Sequence, residues 1–243
     1  MINGRKLVVV TGTSGGLGSA ISKRLIGSGF FVVGISRRPV EFRETVQQSN
    51  GEYQHIIWDL SRIEALKELS DTIVRTIGTP FGLINNAAIG TDGILPTMHN
   101  SEIQNLMTVN VVSPIVLTKY LVRPMLSVRE GRIINISSIV AGSGYRGLAA
   151  YGATKAAIEG FTRSFSRDVG PRSITVNAVA PGFLATEMTN GLDERDLVRI
   201  ANRSAMKRFA HLDEVAAAVE FLLSEAASGI TGSVLTVDAG SRA

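Results

Sequence analysis

The 243-residue chain carries 25 basic and 21 acidic side chains, a formal charge of +4 at pH 7, with 44% hydrophobic and 19% charged residues. That balance supplies apolar material for a large core and excludes a disordered or fibrous chain. Lys and Arg are scattered, the densest pair being Arg37-Arg38, which argues against a nucleic-acid partner. Cysteine is absent, which removes disulfides, thiol nucleophiles and thiolate metal sites. His55, His99 and His211 have no metal-binding spacing and read as surface or packing residues, so no metal site is expected. Neither a secretory signal nor a membrane-spanning run is expected, and a cytoplasmic location follows as the default.

Short apolar runs alternate with helical patterns along the whole chain. A strand at Leu7–Val10 leads through a glycine-rich turn to an amphipathic helix, Gly18–Ser28. A strand at Phe31–Ser36, a polar segment at Pro39–Gly51 and a strand at Gln54–Asp59 follow. A helix over Ile63–Ile77 precedes a strand at Gly82–Asn85, and helices over Ser101–Val122 and Tyr151–Asp168 flank a strand at Gly131–Ser137. Ile174–Ala180, a helix at Leu212–Leu223 and Ser233–Val237 complete the series. Strands that are apolar throughout belong to a sheet covered on both faces. Their alternation with helices predicts a single α/β domain over residues 1–243: a Rossmann-type, doubly wound parallel sheet with helices on both faces.

Leu-Val-Val-Val-Thr-Gly-Thr-Ser-Gly-Gly-Leu-Gly, residues 7–18, is a strand, a tight turn and a helix start. Gly12, Gly16 and Gly18 let the backbone approach a pyrophosphate, and Ser14 and Leu17 complete the turn whose helix end offers free N–H groups. Dinucleotide binding is the expectation. At the end of the second strand, where an acid would hold a ribose 2′-hydroxyl, the chain reads Ser36-Arg37-Arg38. Two guanidinium groups suit a 2′-phosphate, so NADP(H) is expected in preference to NAD(H).

Tyr151 and Lys155 are four residues apart at a predicted helix start, which puts both on one face. A lysine ammonium within about 4 Å would favour the phenolate by up to roughly 4 kcal/mol before desolvation is counted.

Thr11-Gly12-x-x-x-Gly16-x-Gly18, Asp59-Leu60, Asn85-Asn86-Ala87, Asn110, Ser137-Ser138, Tyr151-x-x-x-Lys155 and Pro181-Gly182 occur in that order. In these motifs the chain, from about residue 5 to residue 240, resembles the classical short-chain dehydrogenase/reductases. The resemblance implies Tyr151 as proton donor in reduction, Lys155 lowering its pKa and holding the nicotinamide ribose, and Ser138 bonding the substrate carbonyl. It implies Asn110 behind a water relay, Asp59 and Leu60 at the adenine, Asn86 and Ala87 on the adenosine side, and Pro181, Gly182 and Thr186 flanking the nicotinamide. Two departures stand out: Ala88 replaces a usual glycine, and Gly15 stands where NADP-preferring members often carry a basic residue.

Within the family the chain most resembles 3-oxoacyl-acyl-carrier-protein reductases, on Pro181-Gly182-Phe183-Leu184-Ala185-Thr186-Glu187-Met188 and the ending Ile230-Thr231-Gly232…Val237-Asp238-Ala239-Gly240. Arg129 and Arg172 match basic residues that those enzymes use to dock an acidic carrier protein. The implied activity is reduction of a ketone to a secondary alcohol on a small-molecule carbonyl substrate, with a 3-oxoacyl thioester as one choice. Polyketide, sugar, steroid and quinone carbonyls are the alternatives, and a non-catalytic NADP(H)-binding regulator is a third reading. Residues 183–209, with Leu184, Met188, Leu192, Met206 and Phe209, read as a substrate lid with an apolar underside, or as a segment packed on its own domain. Tyr145 reads equally as a substrate contact or as loop packing. Family resemblance implies a homotetramer built on the Ser101–Val122 and Tyr151–Asp168 helices and the C-terminal segment.

Overall fold

The computed structural model describes residues 2, 4–40, 52–90, 93–184 and 194–243. Among them, seven strands form one parallel sheet: β1 Leu7–Thr11, β2 Phe31–Ser36, β3 Tyr53–Ile57, β4 Gly82–Asn85, β5 Gly131–Ile136, β6 Ile174–Pro181 and β7 Val234–Val237. Their order is β3-β2-β1-β4-β5-β6-β7, every neighbouring pair parallel. The chain starts in the middle, winds one way through β3, and returns across β1 to add β4 onward. The doubly wound sheet expected from the alternating pattern is the one observed.

Helices cover both faces. On one, α1 Gly16–Gly27 and α7 Leu212–Leu223 pack over Val8, Val10, Val32, Ile84 and Ile134. On the other, α2 Leu66–Thr76 and α4 Ser113–Val128 pack over Val9, Val33, Leu83, Ile133 and Val176. Successive residues of a strand point to opposite faces, so a central strand sandwiched this way is buried at every position and mainly apolar. β1, β2, β5 and β6 are buried at every residue.

Asn100–Val128 is one helical run in which α3 Asn100–Met107 passes through a wide, π-type turn, Thr108–Val112, into α4. It continues six residues beyond the expected end at Val122, through Pro124. Proline forfeits a backbone bond there, but Leu117, Leu121 and Met125 are buried on the same face, and packing outweighs local preference. The run is long and apolar enough by length and composition to cross a membrane, contrary to the expectation. Its position against the sheet accounts for that apolarity, because the core requires the same side chains. Helix α5 Ala149–Val169 packs beside it, and α6 Glu194–Arg203 lies within the segment read as a lid, where no helix was expected.

Polar side chains cross the buried layer in a chain of hydrogen bonds. Asn85 Nδ2 donates to Thr118 Oγ1 at 3.0 Å and to Asn135 Oδ1 at 2.8 Å, and Asn135 Nδ2 donates to Thr162 Oγ1 at 2.9 Å. Asn85 and Asn135 are register partners on β4 and β5, so the chain ties those strands to α4 and α5. Replacing Leu121 by Ala is expected to destabilise the fold by about 2–5 kcal/mol, the cost of a core cavity. Replacing the half-exposed Leu95 should change stability by no more than about 0.5 kcal/mol. Urea unfolding of both variants checks the contrast.

Candidate functional site

The strand order reverses between β1 and β4, so their following loops part and leave a crevice at the carboxyl ends of the strands. A cleft of about 630 Å³ occupies that place. Its lining includes Gly12, Ser14, Gly16, Leu17, Gly18, Arg37, Arg38, Asp59, Leu60, Asn86, Ala87, Ser138, Tyr151, Lys155, Pro181 and Gly182. Residues from seven separate stretches of sequence thus share one surface. Thr186 lies outside the described residues, as do Met188 and Leu192.

At one end the backbone approaches itself closely. Gly12 has φ +75°, and a Cβ there would sit 2.9 Å from Ala87 Cα. A Cβ on Gly18 would collide with the Gly12 carbonyl. Thr11 holds this arrangement: its hydroxyl donates to the Ile84 carbonyl at 3.3 Å and accepts from the amides of Asn86 at 2.9 Å and Ala87 at 3.0 Å. Asn86 Nδ2 donates to the Thr11 carbonyl at 2.8 Å. Helix α1 has Gly15 at its N-cap and no side-chain cap, so the first-turn amides remain for an anion in the cleft. This cradle, which a side chain would fill, fits a dinucleotide pyrophosphate. Ala88 is not among the residues with positive φ, so the alanine there costs no backbone strain.

Arg37 and Arg38 are exposed on the rim beyond β2. Asp59 accepts from Ser61 N at 3.0 Å and Ser61 Oγ at 2.8 Å. That backbone hydrogen bond first, and the Arg37 charge after it, holds its carboxyl below the usual carboxylate range.

At the other end, Tyr151 is the third residue of α5 and Lys155 lies one turn on. The Lys155 ammonium is 5.6 Å from the Tyr151 ring centre and donates to the Ile136 carbonyl at 2.9 Å. Ser138 hydrogen-bonds the Tyr151 hydroxyl and accepts from Val140 N at 3.3 Å. Burial pushes Lys155 down to about 8 and Tyr151 up to about 12, the Ser138 bond opposing the latter. The expected lowering of the tyrosine pKa by the lysine is therefore not what this arrangement produces. Desolvation of the phenolate is the leading cause and outweighs the Ser138 bond.

Asn110 does not line the cleft but lies buried behind it, in the π-type turn. Its Oδ1 accepts from Ile89 N and its Nδ2 donates to Ile89 O, both at 2.9 Å, and Nδ2 also reaches Thr154 Oγ1 at 3.2 Å. Asn110 thus joins the loop after β4 to the helix that carries Tyr151. Ser137 also borders the cleft, and its hydroxyl donates to Glu159 Oε1 at 2.9 Å. The Tyr145 ring packs edge-on to Phe183 at 6.1 Å and still lines the cleft, so both expected roles remain compatible with its place. Leu184 packs against the core and lines the cleft with Ile200, whereas Met206 is 59% exposed. Motif reading missed Trp58, Ser61, Arg146, Leu148 and Ile200, which also line the cleft. Nothing in their local spacing marks them, except that Arg146 adjoins Tyr145 in a glycine-rich loop.

A family model described as Enoyl-(Acyl carrier protein) reductase matches residues 12–242. A 3-oxoacyl-[acyl-carrier-protein] reductase FabG of Pseudomonas aeruginosa is 37% identical over 238 residues, 97% of this chain and 96% of the relative. Carbonyl reductase family member 4 of Danio rerio is 39% identical over 97% of each chain. Among solved structures, an actinorhodin polyketide ketoreductase with NADPH aligns with a TM-score of 0.92 at 26% identity, covering 98% of this chain and 97% of that one. The chain belongs to the short-chain dehydrogenase/reductase family. As a member it is a nicotinamide-dependent oxidoreductase of the ketone–alcohol type.

The short-chain dehydrogenase/reductase site generates two expected outcomes. Gly18→Ala should weaken NADPH binding at least about tenfold, since the collision with Gly12 must displace the pyrophosphate turn. Fluorescence titration of the cofactor checks it. The second concerns linkage. A lysine with its folded pKa near 8 binds fewer protons than the unfolded chain up to pH ~10.4, so stability rises with pH through that window. The stability advantage of Lys155→Met over the wild type should accordingly shrink between pH 7.5 and about 9.5 in urea unfolding.

Proposed function

We propose that this chain is an NADP(H)-dependent reductase of 3-oxoacyl thioesters, in which Ser138, Tyr151 and Lys155 carry the proton chemistry. The observation that carries the proposal is the Ser138–Tyr151 hydroxyl pair bordering the cleft above the buried Lys155. Two hydroxyls at one point suit a carbonyl oxygen that becomes an alkoxide, since both donate more strongly as charge builds. A bound dihydronicotinamide supplies the hydride. Tyr151 then delivers its phenolic proton to the oxygen, completing the alcohol. An alkoxide is a far stronger base than a phenolate, so a tyrosine that holds its proton firmly still transfers it downhill. Lys155, held by the Ile136 carbonyl, stabilises the phenolate left behind. Asn110 keeps the loop after β4 and α5 in mutual register.

NADP(H) over NAD(H) rests on Arg37 and Arg38 at the rim and on the absence of an acid at the end of β2. Asp59 and Leu60 would contact the adenine, Pro181, Gly182 and Thr186 the nicotinamide, and the 183–209 segment would close over an acyl arm with Leu184 and Ile200 beneath it. The name of the family model raises enoyl reduction as a second activity. The paired hydroxyls favour the ketone, because only there does the oxygen that they meet end as a protonated alcohol.

Arg129 and Arg172 lie beside one another, Arg129 Nη2 donating to the Pro171 carbonyl at 3.2 Å. Both precede their strands, at the amino-terminal ends of β5 and β6 and so at the opposite end of the strands from the cleft, about 20 Å away along a six-residue strand. A carrier protein docked on this pair would sit away from this chain's own Tyr151. Exposed Met107, Val112 and Val128 on the Asn100–Val128 run, together with the stacked Phe161 and Phe165 of α5, support a homotetramer packed through these helices. A cytoplasmic location completes the proposal.

The test is NADPH oxidation with a short 3-oxoacyl thioester, beside the matching 2-enoyl thioester and beside NADH. Tyr151→Phe is expected to lower turnover by about 10²- to 10⁴-fold while cofactor affinity survives. Residual turnover near the wild-type value would overturn the proton-donor assignment. Failure of the thioester with NADPH binding intact would move the substrate to another ketone.

A further inference from the structure

His55 and Tyr53 lie on β3, behind the cleft surface, and neither belongs to the motifs above. The two rings stack at 6.1 Å, 21° from parallel. The Tyr53 hydroxyl meets His55 Nδ1 at 2.9 Å and Thr13 Oγ1 at 3.3 Å. On its other side the His55 ring presents Nε2 at 3.2 Å from both Ser36 Oγ and the Arg38 carbonyl. Ser36 Oγ donates to the same carbonyl at 2.7 Å. A carbonyl only accepts, so this pattern assigns a hydrogen to Nε2.

One connected chain of polar groups therefore runs from Thr13, in the glycine-rich turn, through Tyr53 and His55 to the backbone of Arg38. Thr13 is fully buried and Ser36 nearly so. Burial pushes the Tyr53 hydroxyl up to about 12, so it remains protonated and able to donate. The path exists because residue 34 is glycine: a Cβ there would occupy the space of the Tyr53 hydroxyl. His55 pairs in register with that glycine.

We infer that Tyr53 and His55 are positioning residues for cofactor selection, holding the Arg37–Arg38 backbone where its guanidinium groups meet a ribose 2′-phosphate. The inference rests on the NADP(H) reading and adds to it the element that sets the arginine pair. A bidentate guanidinium–phosphate contact depends on direction as well as charge. An exposed loop with its carbonyl pinned on two sides has less freedom to lose on binding. The same chain links the pyrophosphate turn to the 2′-phosphate loop, so both ends of the adenosine site are held relative to each other.

The experiment uses 2′,5′-ADP and ADP, which differ in the position of one phosphate, with the full-length chain. Calorimetry gives affinities for wild type, His55→Phe, His55→Gln and Tyr53→Phe, and thermal unfolding confirms that each is folded. His55→Phe is expected to weaken 2′,5′-ADP about tenfold, the loss of roughly one hydrogen bond to the loop, and ADP less than about twofold. In turnover it should raise the KM for NADPH and leave kcat and the NADH parameters unchanged. His55→Gln, whose amide nitrogen can reach the Arg38 carbonyl, should recover most of the selectivity. Tyr53→Phe should shift it in the same direction as His55→Phe, by less. Equal weakening of both nucleotides, or no change in either, overturns the positioning role. Wild-type protein without a preference for 2′,5′-ADP overturns the NADP(H) reading itself, which is a different result.

Discussion

The hydroxyl of Thr11 closes the seam on which this molecule depends. It stands where the strand order reverses, taking two amides from the segment after β4 and giving its hydrogen to Ile84. Parallel strands whose crossovers leave to opposite sides tend to part at their carboxyl ends. The Thr11 and Asn86 bonds prevent that below the cleft while leaving it open above. The close passage of Gly12, Gly18 and Ala87 is then a steric consequence, and so is the exclusion of side chains from the pyrophosphate cradle.

From this seam two regions of different dielectric character extend. Toward Arg37, Arg38 and Asp59 the surface is exposed, and charge recognition there is screened and depends on holding the groups in position. Toward Tyr151 and Lys155 the groups are more deeply set, and burial is the leading cause of the shift in both groups' proton affinities. One end of the cleft therefore suits selection of a phosphate, and the other the transfer of a proton to an oxygen.

The mainly apolar runs of β1, β2, β5 and β6 identify central strands because a two-sided core buries every position, and the polar residues among them, such as Thr11 and Asn135, are hydrogen-bonded. The glycines at 12 and 18 and the four-residue spacing of Tyr151 and Lys155 are equally legible, since each is a local steric or helical relation. Local rules fail where long-range packing decides. Asn100–Val128 passes Pro124 because Met125 is buried, and Asn110 lies in a π-type turn because Ile89 and Thr154 meet it there. The lowered tyrosine pKa expected from charge alone reverses once burial is known.

Sequence by itself determined the fold class and the family motifs, because those properties follow from periodicity and from spacings within single elements. Only the tertiary structure decided that Asn110 stands behind the cleft and that Arg129 and Arg172 come together at the opposite end of the strands. It alone brought His55 from a neighbouring strand to the carbonyl of Arg38. These relations join residues distant in the chain, and they depend on directions that side chains acquire only once the sheet and its helices have packed.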